Sequence, residues 1–95
     1  MVHLNVLLLV RDPANASRVR DLLREAGRIS RREPGCLRFE VYHSQADPRR
    51  FVLCEYWESQ AALDVHRQGR AFTEIYSPQV LPLVEREPHP SELVE

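Results

Sequence analysis

The chain has 95 residues, 28% of them charged and 43% hydrophobic, and a formal charge of −1. All 13 basic side chains are arginine, and glycine occurs only at Gly27, Gly35 and Gly69. This excludes a lysine Schiff base, a P-loop lysine and a glycine-rich phosphate cradle, and the interleaved acids and bases leave no broad basic face for nucleic acid.

A chain of this length predicts one domain over 1–95, with a thin core that buries roughly 60–70% of the unfolded surface. No apolar run approaches the ~18 residues of a membrane span. Val6 to Val10 has no small-residue cleavage site behind it, so it does not read as a secretory signal. Two cysteines, Cys36 and Cys54, make no disulfide framework and predict a reduced, cytoplasmic setting.

In chain order, Met1 to Arg11 alternates Val2, Leu4, Val6, Leu8 and Val10 with His3, Asn5, Leu7, Leu9 and Arg11. Both sets are largely apolar, which predicts a strand buried on two sides. Asp12-Pro13 has the form of an N-cap followed by proline at the first helical position. Val19, Leu22, Leu23, Ala26 and Ile29 then fall at helical spacing, which predicts a helix over about 14–32, stopped by Pro34-Gly35. Leu37, Phe39 and Val41 alternate with Arg38, Glu40 and Tyr42 in a second strand. Ser44 to Arg50 is a turn, and Phe51 to Trp57 is a third strand, so the pair predicts an antiparallel hairpin. Ser59 caps a second helix carrying Ala62, Leu63 and His66. After Gly69 the helical spacing resumes through Phe72, Ile75, Tyr76, Val80 and Leu83, with Pro78 expected to bend or restart it. The segment 86–95 reads as an extended tail with a dimer contact in view, and only Glu92 to Glu95 is expected to pair as an edge strand, because Pro88 and Pro90 interrupt the rest.

The order β-α-β-β-α-β predicts an α+β fold of the ferredoxin-like split βαβ type. Two helices cover one face of such a sheet. The other face also carries apolar rows, and the sheet of a second copy is the simplest cover, which predicts a homodimer.

Among the polar residues, His66 falls on the inner stripe of the second helix. It reads either as a core histidine held by one hydrogen bond or as a general base poised near neutral pH. His3, His43 and His89 read as solvent residues. Glu55 points with Leu53 and Trp57; it either orients His66, pairs with an arginine or lies at a wet edge. Asn5 is a polar amide in an apolar strand, structural or substrate-holding. Phe39, Tyr42, Trp57, Phe72 and Tyr76 read as core or as the rim of an apolar pocket. There is no CxxC, no histidine pair at metal spacing, no GxSxG and no HExxH, so no metal is expected.

Glu33 to Phe39 reads EPGCLRF, and Glu55 to Ser59 reads EYWES; then come A-L-x-x-H ending at His66, Phe72, and V-L-P-L ending at Leu83. This succession resembles the antibiotic biosynthesis monooxygenase domain. The resemblance implies a dimeric ferredoxin-like α+β barrel with a small cavity between helices and sheet. Relatives include cofactor-free quinol monooxygenases, anthrone oxygenases, haem-degrading enzymes and an isomerase of a phosphorylated autoinducer. Asn5 matches the strand-one asparagine of the haem-degrading members. His66 stands where they carry a tryptophan, and Tyr76 where they carry the iron-ligating histidine, so the haem ligand is missing. The isomerase is similar along Leu37 to Phe51, but it has a histidine where this chain has Gly27, and it uses lysines. The quinol monooxygenases match best around the second helix.

The resemblance therefore implies a small-molecule substrate, no cofactor, and a monooxygenase of quinols, phenols or other enolisable compounds. In that scheme His66 is the base, Glu55 orients it, Asn5 and Trp57 hold substrate oxygens, and Phe39, Tyr42, Phe72 and Tyr76 form walls. The alternatives are an isomerase or lyase of a small dicarbonyl, and a non-catalytic ligand-binding dimer.

Overall fold

A computed structural model of the chain describes residues 1–95. It runs β1 (Val2–Val10), a 3-10 turn (Pro13–Asn15), α1 (Ala16–Ser30), β2 (Cys36–His43), β3 (Arg50–Trp57), α2 (Gln60–Gln68), α3 (Ala71–Val80), a second 3-10 turn (Leu81–Leu83) and β4 (Val84–Ser91). The four strands form one antiparallel sheet in the order β2-β3-β1-β4. This is the ferredoxin-like α+β arrangement, and β2 and β4 are its edges.

Alternation along the strands decides the faces. Leu4, Val6, Leu8 and Val10 of β1 are buried beside Phe51 and Leu53 of β3. They join Val19, Leu22, Leu23 and Ala26 of α1 and Ala71, Ile75, Tyr76 and Val80 of α3 in one core. A smaller cluster of Phe39, Trp57 and Leu63 sits at the end of the sheet where α2 packs. The other face carries Leu7 and Tyr42 as exposed residues, with Leu9, Val52, Cys54 and Tyr56 half-buried.

The helix starts follow their caps. Asp12 Oδ1 accepts from Ala14 N at 3.0 Å, and Ser59 Oγ accepts from Ala62 N at 3.1 Å. No helix is long and apolar enough to cross a membrane.

Three expectations are corrected. The last strand is Val84–Ser91 and not 92–95: Pro88 and Pro90 lie two apart on an edge strand, so both missing N–H groups fall on the same side, and the register with β1 runs unbroken from Val10↔Val84 to His3↔Ser91. Leu37 does not share the core face with Phe39. Cys36 opposes Trp57 while Arg38 opposes Tyr56, so Leu37 is the extra residue of a bulge and is 53% exposed. Pro78 does not restart a helix: it lies inside α3, which is wound as a wide π-type helix over Ala71–Val80.

Candidate functional site

The site is built where the end of β3 meets α2 and the turn before β2. That turn is Glu33-Pro34-Gly35-Cys36. Cys36 N donates to Glu33 O at 3.1 Å, Pro34 holds the second place, and Gly35 takes the third with φ 79°, the pattern of a type II turn. The carbonyl of Gly35 accepts from Glu58 N at 2.8 Å, which ties the turn to the end of β3. The turn thereby presents the Glu33 side chain to α2.

His66 projects from the buried stripe of α2 and is 6% exposed. Its Nδ1 lies 2.5 Å from Glu33 Oε1, with the two side chains 8% and 16% exposed. An ionised Glu33 accepts the Nδ1 proton and leaves Nε2 as the free basic nitrogen, the division of labour that makes a carboxylate–histidine pair a proton acceptor. Aromatic rings enclose the imidazole. Trp57 lies 4.5 Å away between ring centres, Phe39 5.9 Å and Phe72 6.0 Å, and Tyr76 stands 5.5 Å beyond Phe72.

Glu55 lies on the same face of β3 as Trp57. Trp57 Nε1 donates to Glu55 Oε1 at 3.0 Å, and Trp57 is fully buried. Burial pushes the Glu55 carboxyl above its ordinary range, against the opposing pull of the indole N–H and of the charges on His66, Arg86 and Arg67. Arg86 of β4 donates from Nε to Tyr76 Oη at 3.1 Å. Burial raises the Tyr76 phenol, with Arg86 opposing. The nearby Cys36 thiol is also raised, by burial first and then by the charges of Glu33 and Glu55, which keeps it a thiol.

The structure thus gathers His66, Trp57, Glu55, Phe39, Phe72 and Tyr76 and leaves two expected residues out. Asn5 points to the opposite face of the sheet, where its Nδ2 donates to Ser91 Oγ at 3.1 Å. Tyr42 lies on that opposite face too, half exposed, and its hydroxyl donates to Glu40 Oε1 at 2.7 Å. Roles change as well. The carboxylate against His66 is Glu33, not Glu55, and the indole N–H expected to hold a substrate oxygen is engaged by Glu55. Glu33 was visible in the sequence only as the first letter of a turn motif. Its partner lies 33 residues away, and no periodicity links a turn residue to a helix stripe.

None of the four principal cavities is lined by His66, Trp57, Phe72 or Tyr76. Trp57, Phe39 and Phe72 pack around the imidazole between α2 and the sheet. Phe72, half-buried on the first turn of α3, is the outermost ring against the imidazole. No three His, Cys, Asp or Glu side chains converge as a metal-holding group.

The antibiotic biosynthesis monooxygenase model matches residues 1–77, and the chain belongs to that family. It is similar to a crystal structure described as an antibiotic biosynthesis monooxygenase, with a TM-score of 0.90 and 28% identity over 100% of both chains. It is also similar to the Mycobacterium tuberculosis protein Rv0793, with a TM-score of 0.81 and 27% identity over 100% of this chain and 98% of the other. An uncharacterised protein of Synechocystis sp. is 39% identical over 54 residues, 55% of this chain; the chain spans 37% of that relative's length. The fold and family are those of a monooxygenase-like protein.

Proposed function

We propose that the chain is a cofactor-independent monooxygenase of a quinol, phenol or other enolisable small molecule. The observation that carries this reading is the 2.5 Å contact between Glu33 and His66 inside an aromatic enclosure. A base that removes the acidic proton of such a substrate leaves an electron-rich anion. The anion passes an electron to dioxygen, and the two radicals combine to a peroxide. Loss of water then turns the attacked carbon, a methylene in an enolisable ketone or a ring C–H in a quinol or phenol, into a carbonyl, so one dioxygen yields one carbonyl and one water. The substrate supplies all the electrons. The chain's part is a base at His66, its orientation by Glu33, and aromatic walls that exclude water and favour charge transfer. Substrate entry requires Phe72 to swing away from the imidazole.

The test is oxygen uptake with a panel of hydroquinones and enolisable ketones. His66→Ala is expected to lower kcat by about 10²–10⁴-fold, the usual worth of a positioned base. Glu33→Gln is expected to keep binding, lower kcat and displace the pH–rate profile. Turnover untouched by His66→Ala sinks the proposal. Substrate conversion without oxygen uptake replaces it by isomerase or lyase chemistry with the same base.

A second reading, a non-catalytic ligand-binding domain, has one specific observation in its favour: aromatic rings pack against the imidazole, which leaves it without a preformed catalytic pocket. Binding of those compounds with no consumption of any supports it.

We further propose that the working unit is a homodimer joined through the face of the sheet opposite the helices, and that it resides in the cytoplasm. The free thiols of Cys36 and Cys54 support the reducing compartment.

A further inference from the structure

A groove of about 600 Å³ lies between α1 and the free edge strand β2, away from the His66 cluster. Its lining includes Arg20 and Arg24 of α1, Arg31 at the C-cap of that helix, and the stretch Val41 to Ser44. No aspartate or glutamate lines it, and none of the three arginines is within ion-pair distance of a carboxylate. Three guanidinium groups and no carboxylate on its wall make the concavity basic, with Glu40 close enough to Arg31 to draw on part of its charge.

The geometry around the groove aims these groups. His43 Nε2 lies 2.8 Å from the carbonyl of Pro48, which can only accept, so Nε2 carries the proton. Nδ1 is then an acceptor, and it receives Arg20 Nη1 at 3.3 Å. The His43 ring is held by stacking on Phe51 at 4.1 Å between ring centres. Arg31 Nη1 donates to Phe39 O at 2.9 Å. Each of these two arginines is anchored by one N–H and keeps the rest of its fork free, and Arg24 keeps all five. Ser44 Oγ accepts from Ala46 N and Asp47 N, both at 3.1 Å, which leaves its own hydroxyl proton for a further acceptor.

We propose that this groove is a binding site for a small, multiply charged phosphate compound. Free guanidinium forks match phosphate oxygens in pairs, the hydroxyl of Ser44 adds a neutral donor, and the volume is that of a small-molecule site. The concave wall and its volume favour a compact anion over an extended polyanionic surface.

The experiment is calorimetric titration of the whole protein with inorganic pyrophosphate and, separately, inorganic phosphate, against sodium chloride at equal ionic strength. Saturable binding is expected, tighter for pyrophosphate. Arg24→Gln, an exposed residue with no partner to lose, is expected to weaken it about tenfold or more, the worth of one charged hydrogen-bond pair. The double variant Arg24→Gln/Arg31→Gln is expected to abolish it, and amide NMR shifts should fall on Val41 to Gln45. Heat matched by sodium chloride alone, or binding equal in wild type and double variant, overturns the proposal. So does a response confined to residues around His66, which would put the anion in the other site.

Discussion

Gly69 leaves the room that Glu33 occupies. A Cβ at this position would stand 2.6 Å from Glu33 Oε2 and 3.2 Å from the carbonyl of His66. The carboxylate is the end of a flexible side chain, so it gives way before the backbone does. Gly69→Ala is therefore expected to push Glu33 off the imidazole with only a small loss of stability. Nitrogen NMR of His66 should show the Nδ1 hydrogen bond lost while the unfolding midpoint moves little; an unchanged imidazole spectrum refutes the account. Glu55 behaves differently. Its carboxyl is raised above the ordinary 4.5 mainly by burial, so the folded chain holds this proton more tightly than the unfolded chain does. Stability from this group is then greatest below the unfolded value and falls as pH rises through the window from 4.5 up to the raised folded value. Glu55→Gln keeps an oxygen for the Trp57 N–H and removes the titration. Urea unfolding across that window should show a flatter pH dependence and a more stable variant at its upper end. Parallel curves for the two proteins contradict it.

The turn Glu33-Pro34-Gly35-Cys36 is the element on which the dyad depends. Gly35 sits at φ 79°, and an added Cβ would meet Ala62 Cβ at 2.5 Å, so both the backbone and the α2 contact oppose a side chain there. Gly35→Ala is expected to cost about 1–3 kcal/mol from the backbone alone, read as a lower urea midpoint, and to disturb the Glu33–His66 contact as the turn retreats from α2. An unchanged midpoint rules this out. Periodicity made the helices and first three strands legible: the α1 stripe and the β3 alternation fix which residues face inward. It failed where periodicity is absent or shared. β4 carries two prolines that mask a strand until its edge position is known. A bulge at Leu37 breaks the alternation of β2 by one residue. In β1 both faces are apolar, so nothing in the strand itself says that Asn5 is on the far side from His66. Strand parity does separate Phe39 from Tyr42, which cannot line the same pocket. The burial of His66 was readable from α2 alone, whereas its partner Glu33 comes from a turn that only the assembled fold brings near.

At the scale of the whole molecule, the unhelical face of the sheet bears on how the chain exists in solution. Across its middle run Tyr42, Val52 and Leu7, directly opposite one another on β2, β3 and β1. Leu9, Cys54 and Tyr56 flank them. Tyr42 and Leu7 are 50% and 39% exposed in the single chain, and a contiguous apolar sheet face of this kind is seldom left to water. The rim is charged and unequal. Glu85 and Glu87 line β4, while Arg38 and Arg50 toward the opposite edge are each paired within the chain, with Glu40 and Asp47, so the apolar centre drives a twofold stacking of two sheets. Sedimentation should therefore give twice the 11.1 kDa of one chain. Leu7→Arg and Val52→Arg each place a charge in the centre of the contact and are expected to yield monomers that keep their circular dichroism. The Cys54 thiol provides an independent readout, since a neutral alkylating reagent should reach it faster in these monomers than in the dimer. A wild-type chain that sediments as a monomer at every concentration, with Cys54 equally reactive in all three proteins, rules out this assembly.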